Sequence, residues 1–243
     1  VYEPALDIET TERAIEDVKS LFARSLSENL ELRKISAPLA LLSGTGINDD
    51  LNGVEAPVSF RIKSSSGTKA EVVQSLAKWK RLRLKELAVE EGKGILTSMS
   101  ALRPDEELSP IHSVFVDQWD WEKRIAPKER TLKYLKSTVE KIYDAVKLTE
   151  LRIAEIYTEI EPFLPDKITF IHSEELLREF PQLSPKERED KAAKLFGAVF
   201  IIGIGGELSD GTPHDKRAPD YDDWSTGNEE GFAGLNGDII VWN

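Results

Sequence analysis

The sequence predicts an α+β fold, a mainly antiparallel sheet packed by helices. Three observations predict it. Strand-like and helix-like segments are mixed but do not alternate regularly, as a parallel doubly wound sheet requires. Several neighbouring strands are joined directly by loops. One long stretch, Thr131 to Ile160, keeps an apolar stripe at helical spacing. No internal repeat or low-complexity linker interrupts the 243 residues, which read as one domain.

In order, TTERAIEDVKSLFARSLSENL opens on threonine caps and sets Ile15, Val18, Phe22 and Leu26 at helical spacing. LELRKISAPLALL reads as a strand interrupted at Pro38, since proline cannot donate to a ladder and marks an edge, a bend or an interface. GTGINDDLNG has the Gly, Asn and Asp content of a loop. PVSFRIK alternates Val58, Phe60 and Ile62, which predicts a strand with one buried face. AEVVQ is a short strand leading into the helix SLAKWKRLRLKELAVEEG. ILTSMSALR and HSVFVDQWDW form a hairpin around the long loop RPDEELSP. The stripe of the long helix holds Leu132, Leu135, Val139, Ile142, Val146, Ile153 and Ile156. FLPDKITFIH is a strand, SEELLREF a short helix, and SPKEREDKAAKLF a helix opened by the capping box Ser184-x-x-Glu187. AVFIIGIGG is a buried strand and GDIIVW a last one.

Composition narrows the chemistry. Lys plus Arg is 32 and Asp plus Glu is 44, a net charge of −12, with no dense basic tract. Binding to nucleic acid through phosphates is disfavoured. No segment has the length and apolarity of a membrane span. There is no cysteine, so disulfides, thiolate metal sites and a cysteine nucleophile are excluded, and a cytoplasmic location is favoured. The three histidines, His112, His172 and His214, lack metal-ligand spacing and read as structural or exposed. GIGG is too short for a dinucleotide fingerprint; its glycines allow close backbone approach.

Four stretches can carry chemistry. In RPDEELSPIHSVFVDQWDWE, Arg103 ends a strand, and Gln118 and Asp120 share a face of the next. That face is either solvated or the floor of a polar pocket. SLAKWKR is either an ordinary capped helix or a positive helix start, beginning at Ser75, with Lys78 and Lys80 nearby. Asp49 and Asp50 in GINDDLNG are turn residues or amine acceptors. HDKRAPDYDDWS is an acidic surface loop or a loop that lays carboxylates and a tyrosine into a pocket.

Together SLAKWKR, ALRPDE, HSVFVDQWDWE, RAPDYDDWS and GLNGDI resemble the ammonia-dependent asparagine synthetases, the aspartate–ammonia ligases. The resemblance runs from LNGVE to the end and more thinly before it. VDQWDWE and RAPDYDDW are its long, compositionally unusual parts. It implies the catalytic core of a class II aminoacyl-tRNA synthetase, close to the aspartyl and asparaginyl enzymes. It also implies a homodimer, because SAPLALL resembles the class II dimer motif with its proline. The implied reaction joins L-aspartate and ammonia at the expense of ATP, with Mg²⁺, through a β-aspartyl-adenylate.

The resemblance assigns residues. Arg103 would hold the α-phosphate, and Glu106 would lie on the adenylate side. Gln118 and Asp120 would hold the substrate aspartate, and Ser75 and Lys80 would line its pocket. Asp49 would help bind or activate ammonia. Tyr221 and Asp222 would close over the amino acid, leaving Asp215 and Asp223 as loop chemistry. Asp238 would be an ATP or metal ligand.

This chain departs from the family pattern in several places. Gln74 stands where the family has His before Ser-Leu-Ala-Lys-Trp, and Lys93 and Leu96 lie in the approach to ALRPDE. Glu207 follows GIGG where the family has Lys. The chain also ends before the family's next carboxylate, its Ser-Ser-Met-Gly-Ile-Arg stretch and its late glycine-rich ATP motif. The expectation is a single catalytic domain over 1–243, cut short at its carboxyl end and inactive as an isolated piece. A tRNA synthetase relative is disfavoured by the missing basic RNA surface; a non-catalytic paralogue that binds amino acid is the alternative.

Overall fold

The computed structural model describes residues 3–49, 56–109, 112–217 and 222–242. In chain order the elements are α1 (Ile8–Leu30), β1 (Leu32–Lys34), β2 (Ala40–Leu42), β3 (Ser59–Ile62), β4 (Thr68–Val72), α2 (Ala77–Glu86) and β5 (Gly94–Leu102). There follow β6 (Phe115–Lys123), α3 (Leu132–Ile156), β7 (Thr169–His172), α4 (Ser173–Glu179), α5 (Pro185–Phe196), β8 (Ala198–Ile202) and β9 (Gly237–Val241). The chain forms two compact units, Glu31–Ala126 and Val1–Leu30 with Pro127–Asn243.

The Glu31–Ala126 unit holds two three-stranded sheets. In one, β5 lies between β1, parallel to it, and β6, antiparallel to it. In the other, β4 pairs antiparallel with both β2 and β3. The stretch read as one interrupted strand is therefore two short strands in different sheets, with Pro38 in the turn between them. The core gathers Val73, Leu76 and Trp79 around Met99 and Ala101, with Leu41 and Val116 against them. Val58 and Phe60 were expected on a buried face and are instead 37% and 46% exposed. The register explains this: Phe60 and Leu42 flank the small Ala70 on one face, while Leu41 turns the opposite face to the core.

The other unit sandwiches a sheet between helices. β8 is buried along its whole length, parallel to β7 and antiparallel to β9. Its Ala198, Phe200 and Ile202 pack on Leu132, Val139 and Tyr143 of α3. Its Val199 and Ile201 face Leu176 of α4 and Ala192 of α5. This alternation is the period-two pattern of a strand buried on both faces.

α1 lies antiparallel to α3. Asn29 donates to the Lys141 carbonyl at 2.9 Å and the Tyr157 hydroxyl to Asp17 at 2.7 Å. Ile15, expected on the stripe, is 46% exposed, although its neighbour Ala14 is buried. Asp7, rather than a threonine, caps α1 by accepting from the Thr10 amide at 2.7 Å.

α3 is capped by Thr131, and the Ser184–Glu187 box closes on α5. At α4 the cap is His172, whose Nδ1 accepts from the Glu174 amide at 3.1 Å. Its other ring nitrogen reaches the Ala233 carbonyl at 2.9 Å. Those two bonds set the tautomer: Nε2 carries the proton. Gly203 makes room for this ring, since a Cβ there would collide with it and φ is +75°. Gly237 serves similarly in β9, where a Cβ would collide with the Ile201 carbonyl and the Phe200 ring.

Candidate active site

In the Glu31–Ala126 unit the residues expected to act from sequence gather around the start of α2 and on β6. Asn48 ties its segment to the entry of α2. Its side chain accepts from the Gln74 amide at 3.1 Å and donates to the Val72 carbonyl at 3.3 Å. This sets Asp49, 1% exposed, where one carboxylate oxygen accepts from the Lys78 amide at 3.4 Å. The Lys78 ammonium stands 3.6 Å from the other oxygen. Burial pushes the Asp49 carboxyl above its ordinary value, and hydrogen bonds from Ser75 and Lys78 oppose that shift only in part. Asp49 and Ser75 are thus brought together.

Lys80, one helical turn into α2, is buried. Its ammonium binds Asp120, donates to the Trp121 carbonyl at 2.9 Å and lies 3.8 Å from Glu122. Burial also raises the Glu122 carboxyl, against the attraction of Lys80 and Arg81. The strand β6 carries Val116, Gln118, Asp120 and Glu122 on one face, opposite Ala101, Met99, Thr97 and Ile95 of β5. That face is half-buried beneath α2 rather than open to water. Asp120 is already held by a buried cation, so it is a fixed rather than a free carboxylate.

Arg103 leaves β5 at the root of the hairpin, its amide bonded to the Val114 carbonyl at 2.9 Å. The Glu106 amide returns to the Arg103 carbonyl at 3.2 Å. The Arg103 Nε is buried without a partner. A cavity of about 310 Å³ in this unit, bounded by Glu31, Arg33, Val89 and Lys93, contains none of the expected residues.

In the other unit, two loops lead to β9 and share a turn geometry. Leu208 bonds Thr212 and Asn228 bonds Phe232 across four residues, and Gly211 and Gly231 take positive φ. Arg217 binds both Asp238 and Asp215, the latter at 3.2 Å. Burial raises the Asp238 carboxyl, Arg217 opposes this, and the charges of Asp215 and Asp222 add to it. Asp222 accepts from Asn236 at 3.2 Å, and the same amide donates to the Ile204 carbonyl at 2.6 Å.

Asp223 is a loop anchor. Burial opposes its ionisation, but Arg130, at 2.8 Å, and Thr226 hold its carboxyl low. Asp215, read as loop chemistry, instead shares the Arg217 cluster. Tyr221 lies outside the described residues. Arg217 and Asn236 lie inside RAPDYDDWS and GLNGDI, but neither received a role from sequence. Among the described residues no group of three or more His, Asp or Glu is arranged to hold a metal ion. Asp238 nevertheless suits Mg²⁺, which takes one or two protein carboxylates and completes its shell with phosphate and water. The Arg217 guanidinium marks that position as one that takes positive charge.

A family model described as aspartate-ammonia ligase matches residues 9–243. The chain belongs to that family. It is 53% identical over 242 residues to the aspartate–ammonia ligase of Parabacteroides distasonis and 52% identical to that of Bacteroides thetaiotaomicron. In both comparisons all of this chain matches 70% of the relative.

Among solved structures, the asparaginyl-tRNA synthetase of Pyrococcus horikoshii, complexed with asparaginyl-adenylate, superposes with a TM-score of 0.62 at 16% identity. That of Entamoeba histolytica gives 0.59 at 12%. These cover 94% and 96% of this chain, which spans about half of each solved chain, 51%. At such identity the likeness concerns the fold, that of a class II synthetase core.

Proposed function

We propose that this chain carries the ATP-dependent joining of L-aspartate and ammonia to L-asparagine, releasing AMP and pyrophosphate. Family membership over residues 9–243 carries the reading. A synthetase-like core supports the adenylate route, since the Pyrococcus horikoshii relative of the fold was solved with an aminoacyl-adenylate. The aspartate side-chain carboxylate attacks the α-phosphorus, and the bond to pyrophosphate breaks. The ammonia lone pair then attacks the acyl carbon, and the electron pair of the breaking C–O bond leaves on AMP.

Arg103 would neutralise charge on the α-phosphate, for which a guanidinium fork is suited; its unpartnered Nε supports this role. Glu106 would attend the adenylate. Gln118 and Asp120 would hold the substrate aspartate, beside Ser75. Lys80, buried on Asp120, would act as a positioning residue that holds that carboxylate in one orientation. Asp49 would take the proton that ammonium must lose, and a carboxyl raised by burial is a better base for it. Tyr221 and Asp222 would contact the amino acid. Asp238 would hold Mg²⁺, which when bound neutralises phosphate charge.

The test is to incubate the intact protein with aspartate, ATP, Mg²⁺ and ammonium. Asparagine and AMP formed in step with ammonium support the reading. AMP formed without dependence on ammonium, or transfer of an amino acid to tRNA, overturns it. Arg103→Ala should slow adenylate formation by roughly 10²–10³, as loss of one preorganised transition-state donor does; an unchanged rate would remove Arg103 from its role.

We infer in addition that the chain acts as a homodimer, through the exposed face of β2, β4 and β3. Leu42, 51% exposed, and Phe60, across Ala70 from it, support this, as does the resemblance of SAPLALL to a dimer motif. The same reading puts the reaction in the cytoplasm, where ATP is at hand; cell fractionation tests that.

A further inference from the structure

Gln74 is 1% exposed, and neither its amide oxygen nor its amide nitrogen has a hydrogen-bond partner. Buried side-chain amides are almost always bonded, so one with both ends unpaired calls for an explanation. Asp49 shows the same feature. One of its oxygens accepts from the Lys78 amide, while the other is buried without a hydrogen bond. Asn48 pins the two segments together, bonding Gln74 through its oxygen and Val72 through its nitrogen. A buried amide with neither end bonded and a buried carboxylate with one oxygen lacking a hydrogen bond therefore sit on adjoining, cross-linked stretches of backbone.

We propose that Gln74 forms, with Asp49, the acceptor pair that binds the nitrogen nucleophile as ammonium. The inference rests on the functional reading above and adds to it a residue outside the set expected from sequence. Of the reactants, ammonium alone is about the size of a water molecule. It carries only donors, and it meets here a carboxylate oxygen and an amide oxygen, which accept. The Lys78 ammonium, 3.6 Å from the orphaned Asp49 oxygen, shows that an N⁺–H group is accommodated beside that atom. The amide is uncharged, so it adds an acceptor without a second negative charge that would hold the nucleophile in its protonated, unreactive form. The burial that raises the Asp49 carboxyl favours the proton transfer that follows.

The test uses the intact protein and Gln74→Met, which keeps the volume of the side chain and removes its donor and acceptor atoms. The KM for ammonium should rise roughly tenfold, about one charge-assisted hydrogen bond. The KM for aspartate, and pyrophosphate exchange measured without ammonium, should stay unchanged. The melting temperature should hold or rise, because the free protein loses only unpaired groups. Gln74→Glu, which keeps an acceptor and adds a negative charge, should keep a KM for ammonium no higher than the wild type while ammonium-dependent turnover falls. An unchanged KM for ammonium in Gln74→Met overturns the inference. So does a loss of adenylate formation or of melting temperature, which would make Gln74 a residue of the first half-reaction or of the fold. If the wild type forms no asparagine at all, the functional reading itself has failed and the inference goes with it.

Discussion

Asp49 is held in a conflict that single residues rarely keep without a use. Burial raises its carboxyl, so folding disfavours the charged form relative to the unfolded chain. The resulting contribution to stability is present at pH below about 3.8, the ordinary value, and is lost as pH rises through the raised one. At neutral pH the charged group is therefore a liability to the fold. Asp49→Asn keeps the oxygen that accepts from Lys78 and removes the charge. Its melting temperature at pH 7 should equal or exceed that of the wild type. Ammonium-dependent turnover should fall by about 10²–10⁴, the range for loss of a general base. Calorimetry and an asparagine assay on the same preparation check both halves; a large drop in melting temperature would instead make Asp49 a structural cap of α2.

At the scale of elements, helix ends are where the residues speak most directly. The Thr131 side chain accepts from the Tyr134 amide at 3.2 Å, so Thr131→Ala should cost about 1 kcal/mol in a denaturant titration. The α4 cap gives a pH response. Burial lowers the His172 pKa below 6.5, ahead of the opposing pull of Ala233 and nearby carboxylates. The unfolded chain then binds the extra proton first. The stability from a neutral His172 is full above pH 6.5 and is lost as pH falls through the depressed folded value. Urea unfolding at pH 7.5 and at pH 5.5 should show a loss on acidification that is smaller in His172→Asn, which keeps a capping oxygen; equal losses would leave His172 out of the response.

At the scale of the whole molecule, the β2–β4–β3 face leaves large apolar side chains in water, which marks an interaction surface when they are contiguous. Phe60→Glu should convert a dimer of the intact protein into monomers by sedimentation, because an unpaired charge cannot be buried at an apolar contact. A wild type that sediments as a monomer at micromolar concentration would retire the homodimer.

Period and punctuation made most elements legible. The Ser184-x-x-Glu187 box, the run AVFII and the RPDEELSP hairpin each depend on neighbours in sequence, and each is present. SLAKWKR, ALRPDE, HSVFVDQWDWE, RAPDYDDWS and GLNGDI together likewise pointed to the family, because the residues of each are contiguous. What sequence could not supply is who meets whom. Pro38 divides two sheets rather than bending one strand, since strand partners are chosen across the chain. Ile15 keeps the helical spacing of Phe22 and Leu26 and is exposed all the same. Gln74 shows in sequence only as a departure from the family's His, and Asp120 looks like a free carboxylate. Only tertiary structure buries the first without partners and sets Lys80 on the second, because desolvation and pairing depend on what packs around a group and not on its place in the chain.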